Sequence, residues 1–325
     1  MASTNVVAGF VAPGSHEPLV RSGHELRSAS GASFKCEGDG IPVFASVDST
    51  EAIDSSEHAS YTSYAERPEL GPRRVVVDAD FLRKLIALHT SGNLPPFGDP
   101  VWLDATYDVL AQEACYSYVG DLRGKRVAQL GGKGFHAAKA IVAGAAEVWH
   151  ITPVLAEARY FLQMAEEAMV VNPACIVHIG VAVAEELPID TNTLDVILSG
   201  GCLHHTVVPG ALFEARRVLS PGGRFAAWDP WRAPLYSVGT KVFGKRERGV
   251  NCRPLDARRL KGSPPGTEVR LYSPVVRYLL LVLFKLRVPV SLRLSRALQL
   301  SEDRWVDRLR VPRRWGSSAA VLLLA

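Results

Sequence analysis

The sequence predicts an α/β protein built on a doubly wound, mostly parallel sheet of seven strands, with a helical extension before the sheet. Between residues 125 and 230, short apolar strands alternate with amphipathic helices, a pattern typical of parallel sheets covered by helices on both faces. A glycine-rich turn, "GGKG", follows the first of these strands, and such sheets bind ligands beyond the carboxyl ends of their strands. The 325 residues are enough to bury a substantial core.

The expected elements follow one another closely along the chain. The strands are "KRVAQL", "EVWHIT", "CIVHIG", "LDVILSG" and "RFAAWDP", at residues 125–130, 147–152, 175–180, 194–200 and 224–230. The helices between them are "HAAKAIVAG", "LAEARYFLQMAEEAMVV" and "PGALFEARRVL". A last pair of strands is expected from "TEVRLYS" and the terminal "SSAAVLLLA", with two helices between them at residues 274–286 and 289–309.

The chain divides into a leader, residues 1–75, and a sheet-containing region, residues 76–325. The leader is rich in Ser, Gly, Ala and Glu, which predicts partial disorder with one strand-like piece, "GIPVFASV". Residues 78–118 are expected to form a helical cap from two amphipathic helices, "DADFLRKLIALHTSG" and "DPVWLDATYDVLAQEACYSYV". Residues 231–265 are rich in Pro, Gly and Arg and break the alternation, so they are expected to be an insertion.

Charge is distributed unevenly along the chain. The net charge is +4, but residues 1–212 carry 14 Lys and Arg against 25 Asp and Glu, whereas residues 213–325 carry 23 against 8. A basic C-terminal third predicts an anionic substrate or partner. The alternative is an Arg-rich solvated face with no ligand, because the sequence alone does not show whether these charges cluster in space.

The sequence predicts a cytoplasmic protein without membrane insertion. The longest apolar run, "YLLLVLF", lies between Arg277 and Lys285 and is far shorter than the ~20 residues that span a bilayer. The N-terminal residues lack the basic region and apolar core of a signal peptide. The five cysteines are scattered and have no CxxC spacing, which argues against a disulfide framework or a zinc knuckle.

The most specific motif is the run "LPIDTNTLDVILSGGCLHHTVVPGALFEARRVLSPGG", residues 187–223. It resembles the class I S-adenosylmethionine-dependent methyltransferases, in particular the methyltransferase type 11 branch. Members of that branch read roughly LPF-D-x-S-F-D-x-V, then LHH, then E-x-x-R-V-L-x-P-G-G. The resemblance covers about residues 120–230 and implies a Rossmann-like methyltransferase fold, S-adenosyl-L-methionine as cofactor, and a role in small-molecule biosynthesis.

The resemblance also implies positions for the parts of the cofactor. The glycine turn, together with the residue that ends the strand before it, would surround the amino-acid part: Gln129, Gly131, Gly132 and Gly134. Thr152 and Pro153 would lie by the ribose, and Ala184 and Glu185 by the adenine. Ser199 and Gly200 would form the floor beneath the sulfonium.

Three of the polar anchors of the family are neutral in this chain. The family usually has an acid where Gln129 and Thr152 stand, and often an Asp near Val183. A carboxylate that accepts two ribose hydroxyls forms charge-assisted hydrogen bonds, about twice as strong as neutral ones. The exchanges at these positions therefore predict weaker cofactor binding unless other contacts replace them.

Candidate residues for chemistry follow the fourth and fifth strands. His204 and His205 come directly after "LSGGC", where methyl transfer would take place, and histidine is the natural base near neutral pH. The alternative is that one histidine caps the next helix and the other packs under the loop. After the fifth strand, the side chains expected to bind substrate are Asp229, Trp231, Arg232 and Tyr236; the alternative is that the aromatic ones anchor the insertion.

A second, more distant resemblance lies in the leader. "SFKCEGDGIPVF", residues 33–44, is similar to the end of the small zinc-ribbon-like Trm112-like module that precedes some methyltransferase domains. The paired cysteines of that module are absent and Cys36 alone remains, so no metal site is expected.

Three functional hypotheses follow. The first is S-adenosylmethionine-dependent methyl transfer to a small, anionic or carrier-linked molecule. The second keeps the fold but assigns a non-methylating reaction, a cyclisation or elimination, because the three acids are missing. The third is a non-catalytic binding protein whose basic third docks an acidic protein or a nucleic acid, although the basic "RLRVPRRW" lacks the interleaved aromatic residues of a nucleic-acid platform. The oligomeric state is not predicted.

Overall fold

The computed structural model describes residues 6–44, 71–234, 236, 254–310 and 312–325. Residue 235 and residues 237–253, about half of the expected 231–265 insertion, lie outside the described residues. Among the described residues, no helix is long and apolar enough to cross a membrane.

The N-terminal residues form an antiparallel sheet of four strands in sequence order, β1 (Val6–Val11), β2 (Pro18–Ser22), β3 (Glu25–Arg27) and β4 (Ser33–Lys35). This sheet packs on the edge of the main domain, where the Phe10 ring meets the Trp149 ring edge-on at 5.1 Å. The sequence predicted one strand here, "GIPVFASV", and that prediction is wrong. The described part of that stretch makes only isolated bridges, and four short strands of mixed polarity form instead.

The main sheet has seven strands, as predicted. They are β5 (Arg126–Leu130), β6 (Glu147–Thr152), β7 (Ile176–Val181), β8 (Leu194–Gly200), β9 (Leu219–Pro230), β10 (Glu268–Tyr272) and β11 (Ser318–Leu324). Their order is β10-β11-β9-β8-β5-β6-β7, with β5 to β9 paired in parallel and β11 antiparallel to both of its neighbours, β9 and β10. Strand order therefore reverses beside β5, where ligands are expected in such sheets.

Seven α-helices are described. They are α1 (Gly71–Thr90), α2 (Val109–Val119), α3 (Phe135–Val142), α4 (Leu155–Met169), α5 (Val208–Val218), α6 (Val276–Lys285) and α7 (Leu292–Arg308). The predicted helical extension is present as α1 and α2, but its bounds are corrected. The first helix begins at Gly71, and the second begins only at Val109 after a 3₁₀ turn at Pro100–Trp102 and an irregular segment.

The core lies on both faces of the main sheet. Val127, Val196 and Ala226 pack with α1 to α4 on one face. Their chain neighbours Ala128, Ile197 and Ala227 pack with α5 and the N-terminal sheet on the other face. This alternation follows from strand geometry, in which successive side chains point to opposite faces, and it explains why the strands are apolar throughout.

Candidate functional site

A cavity of about 270 Å³ opens at the carboxyl ends of β5, β6 and β8. The glycine turn after β5 and the loop after β8 form two of its sides. Nine of the residues singled out in the sequence line it: Gln129, Gly131, Gly132, Pro153, Ala184, Glu185, Ser199, Gly200 and His205. The sequence therefore located the cavity, and the remaining predicted residues lie outside its lining.

The glycine turn is tightly packed against its neighbours. Gly131 has a φ of +73°, and a Cβ built on it would lie 2.7 Å from the Cys202 side chain. Gly134 does not line the cavity because it begins α3 and lies against Phe161, where a Cβ would come within 2.4 Å. Gly132 has room instead, with no atom closer than 3.6 Å to its built Cβ. The turn is thus close to the loop after β8 and to α4 but leaves Gly132 open.

Gln129, which stands where the family has an acid, holds the turn itself. Its Nε2 donates to the Gly131 carbonyl at 2.8 Å, and its Oε1 accepts from the Ala137 amide at 2.8 Å. A carboxylate accepts hydrogen bonds but cannot donate one, so it could not replace the bond to the Gly131 carbonyl. The exchange to glutamine therefore stabilises the connection between β5 and α3.

His150 also holds the turn, a role that no sequence pattern indicated. The register of β5 and β6 pairs Gln129 with His150, whose Nε2 lies 2.8 Å from the Gly132 carbonyl. Complete burial lowers the pKa of His150 to about 4, an effect that outweighs the hydrogen bond to Gly132. The ring is therefore neutral at pH 7, with its proton on Nε2 donated to that carbonyl.

Thr152, predicted beside the ribose, lies behind the cavity wall and is fully buried. Its hydroxyl donates to Glu157 Oε2 at 2.8 Å, and Glu157 itself lines the cavity from the first turn of α4. An acid is thus present near the end of β6, but it comes from the following helix. The sequence did not reveal it, because glutamate in a first helical turn has an ordinary explanation in helix stability.

The end of the cavity beside Glu185 is mostly apolar. Leu130, Ile151, Val183, Ala184 and Leu203 line it beside one carboxylate. That carboxylate is Glu185, which accepts from the Val207 amide at 2.6 Å. Burial raises the pKa of Glu185 despite this hydrogen bond. A flat apolar group with a polar edge would suit this end.

Lys133 and Phe135 border the cavity without filling it. Phe135 is buried and its ring packs edge-on against Phe81, with 5.5 Å between centroids. The Lys133 ammonium lies over the Tyr160 ring at 4.6 Å. The space beside Gly132 is therefore left for a ligand.

The two histidines after β8 differ in position. His205 lines the cavity, whereas His204 is buried beneath the loop outside the lining. His204 Nδ1 lies 2.6 Å from Asp229 Oδ1, which also accepts from the His204 backbone amide at 3.1 Å. Of the two alternatives for these residues, packing under the loop describes His204.

The residues expected to bind substrate lie outside the lining of the cavity. Asp229 is buried against His204, Trp231 bridges to Leu255, and Arg232 lies 3.6 Å from Asp256. Tyr236 is also outside the lining, and the chain after it is not among the described residues. A role of this segment in binding substrate therefore stays a prediction.

One arginine of the basic region fastens the loop. The Arg259 guanidinium donates to the His204 carbonyl at 2.7 Å and to the Thr206 carbonyl at 2.8 Å. This part of the basic C-terminal third therefore holds the wall of the cavity in place.

A third histidine, His136, lines the cavity near the end of β8. A Cβ built on Gly200 would lie 3.0 Å from His136 Nε2 and 2.5 Å from the Trp228 ring. The other ring nitrogen, Nδ1, lies 2.8 Å from the Tyr116 hydroxyl. His136 belongs to a polar group, called here the Tyr116 cluster, made of Asp104, Gln112, Tyr116, His136 and Lys139.

Comparison with known proteins agrees with this geometry. Residues 131–227 match the family model of the methyltransferase domain. Over 107 residues the chain is 34% identical to the tRNA U34 carboxymethyltransferase of Methylococcus capsulatus, a stretch that makes up 32% of each protein. The chain thus spans about a third of that relative's length.

Solved structures are similar to part of this chain at low identity. The geranyl diphosphate C-methyltransferase of Streptomyces coelicolor is 16% identical over 66% of this chain and 77% of its own, with a TM-score of 0.42. The [4+2]-cyclase SpnF is 17% identical over 67% of this chain and 80% of its own, with a TM-score of 0.40.

Residues 131–227 therefore match a methyltransferase domain, in agreement with the resemblance that the sequence showed. The seven-stranded, mostly parallel sheet confirms the fold class that the sequence predicted.

Proposed function

We propose that the protein transfers a methyl group from S-adenosylmethionine to a small molecule. The observation that carries the proposal is the cavity beside the glycine turn, at the reversal of strand order and within the stretch that matches the methyltransferase domain. In sheets of this type, that is the expected position of a nucleotide-like ligand.

The residues present fit the cofactor although three acids of the family are absent. Glu157 lines the cavity near the end of β6 and supplies a carboxylate for ribose hydroxyls in place of the usual strand residue. Ala184 lies in the apolar end suited to adenine, and Glu185 offers a polar edge there. Gly132 leaves backbone open to the amino-acid part.

S-adenosylmethionine, when bound, supplies an electrophilic methyl group: the acceptor's electron pair bonds to the methyl carbon, and the pair of the broken carbon–sulfur bond stays on sulfur. The protein's part is to bind, orient and exclude water. Ser199 and Gly200, at the end of β8, form the floor of the reacting end, and His136 and His205 line the same cavity.

The substrate is proposed to be small and anionic or carrier-linked, on the support of the basic C-terminal third. A cytoplasmic location is proposed on the support of the scattered cysteines, which have no CxxC spacing.

Isothermal titration with S-adenosylmethionine and S-adenosylhomocysteine tests the proposal. We expect saturable heat for both ligands with one site per chain. Adenosine alone serves as the control that isolates the nucleoside part, and it should bind more weakly than either. No heat at millimolar S-adenosylhomocysteine would end the proposal.

A further inference from the structure

The Tyr116 cluster lies between the core and the reacting end of the cavity. Its buried members, Gln112, Tyr116 and Lys139, are fully inaccessible, whereas Asp104 and His136 reach the cavity. The members of this cluster are not among the residues proposed to bind the cofactor. Because each of its hydrogen bonds has a fixed direction, the cluster determines which nitrogen of His136 carries a proton.

Gln112 has one possible orientation. Its Oε1 accepts from the backbone amides of Asp104 and Ala105, both at 2.9 Å. The amide nitrogen must therefore point the other way, and it donates one proton to Asp104 Oδ1 and the other to the Tyr116 hydroxyl at 3.3 Å.

The Lys139 ammonium donates three hydrogen bonds to its neighbours in this region. They go to the Trp102 carbonyl at 2.8 Å, to Asp104 Oδ1 at 2.7 Å and to the Tyr116 hydroxyl at 3.1 Å. Burial raises the pKa of Asp104, but the charge of Lys139 and the hydrogen bonds from Lys139 and Gln112 outweigh burial and leave the pKa below its usual value. Asp104 is therefore a carboxylate paired with a charged Lys139.

The Tyr116 hydroxyl has two lone pairs and one proton. Lys139 and Gln112 donate to the two lone pairs, so the proton is directed to the remaining neighbour, His136 Nδ1, at 2.8 Å. Burial first, and then the charge of Asp104, raise the pKa of Tyr116 well above its usual value, so the hydroxyl keeps its proton. His136 Nδ1 is thus an acceptor.

From this chain of directed bonds we infer that His136 presents an Nε2–H donor to the reacting end of the cavity. Its role is to orient an oxygen of the methyl acceptor rather than to remove a proton from it. A donor at this place selects an acceptor that is already ionised, and a carboxylate fits because one oxygen accepts the hydrogen bond while the other faces the methyl group.

This inference rests on the proposed function and adds the chemical class of its substrate. An ionised carboxylate has no proton to lose, so methyl transfer to it forms an ester and releases no proton. No general base is then needed from His204 or His205. Gln112, Tyr116 and Lys139 act as positioning residues, because each reaches the substrate only through His136. Asp104, which also lines the cavity, orients Gln112 and Lys139.

The tautomer is measured on the protein without cofactor. Long-range ¹⁵N–¹H correlation spectra of ¹⁵N-histidine-labelled protein at neutral pH distinguish a proton on Nε2 from one on Nδ1, and His136→Gln assigns the signal. We expect Nε2–H for His136. Tyr116→Phe removes the directing hydroxyl and should weaken this preference, whereas Tyr118→Phe, on the same helix but outside the cluster, should not. A proton on Nδ1 in the wild type would overturn the inference.

The substrate class is tested with two small probes of similar shape. In the presence of S-adenosylhomocysteine, acetate should shift the His136 Nε2–H resonance downfield, and neutral acetamide should not. No shift with acetate would overturn the assignment of a carboxylate acceptor. If S-adenosylhomocysteine itself gives no heat of binding while the Nε2–H tautomer is observed, the proposed function fails and the tautomer stands.

Discussion

Two histidines lie near the end of β8, but their hydrogen-bond partners give them different roles. His204 is turned beneath the loop, where its Nδ1 and its backbone amide both meet Asp229. His136, by contrast, lines the cavity, and its Nδ1 is hydrogen-bonded to the Tyr116 hydroxyl. The comparison shows that the position of a histidine in a motif indicates its function less reliably than the direction of its hydrogen bonds.

The largest effect, on the free energy of unfolding, is expected when the Tyr116 cluster loses the positive charge of Lys139. Lys139→Met leaves the Asp104 carboxylate without its partner, and breaking such a buried pair costs about 3–5 kcal/mol of unfolding free energy. The Asp104 side chain is 27% exposed, so we expect a loss near the lower end of this energy range. Urea unfolding measures the change.

The matched control for that variant is Lys84→Met on α1, whose side chain is exposed. It should change the free energy of unfolding by less than about 0.5 kcal/mol. Equal losses in the two variants would contradict the account of the cluster.

The next effect depends on pH and concerns His150, which holds the glycine turn. Its pKa is lowered from 6.5 to about 4 in the folded state, so the unfolded chain binds the proton more readily. Stability from this residue is therefore present above pH 6.5 and is lost as the pH falls towards 4, by roughly 3 kcal/mol in total.

His150→Gln keeps an N–H donor for the Gly132 carbonyl and removes the titration. The difference in unfolding free energy between wild type and this variant should shrink as the pH is lowered from 7 to 4. A constant difference across that range would show that His150 is not held neutral.

A smaller effect is expected on cofactor binding from the carboxylate of α4. Glu157→Gln should weaken S-adenosylhomocysteine binding about tenfold, because a charge-assisted hydrogen bond is replaced by a neutral one. Glu166→Gln, on the exposed side of the same helix, should leave the dissociation constant unchanged. Equal binding by the Glu157 variant would show that the ribose is held elsewhere.

The smallest expected effect on binding separates the two histidines directly. His204→Gln removes the buried pair with Asp229 and should cost about 1–2 kcal/mol of unfolding free energy, since a hydrogen bond to a charged group is lost. S-adenosylhomocysteine binding measured by titration should not change, because His204 does not line the cavity. Loss of S-adenosylhomocysteine binding in a folded variant would show that His204 contributes to the binding site.

Much of the sheet could be predicted because apolar strands carry their own signal. The expected bounds of β6 and β8 agree with the structure at residues 147–152 and 194–200. The N-terminal sheet could not be predicted, since β3 and β4 have three residues each and mix polar with apolar side chains. These strands are stabilised by pairing with their neighbours and by the core cluster that contains Leu26 and Trp149, rather than by local preference.

The site was predictable only in part for a related reason. A glycine turn and a strand end are local features, so the cavity could be located from the chain. The contact of Thr152 with Glu157 and the bonds that direct His136 depend on atoms brought together by folding. Gln112 and Lys139 lie on different helices and meet at Asp104 and Tyr116, which no local pattern indicates.

The most direct test of the central claim is the histidine ¹⁵N–¹H spectrum of the wild-type protein with and without S-adenosylhomocysteine. If the cofactor lies in the cavity beside the glycine turn, the signals of His136 and His205 will shift, and those of the exposed His24 and His89 will not. Binding that leaves the His136 and His205 signals unchanged would contradict the account, because the ligand would then be bound at another place.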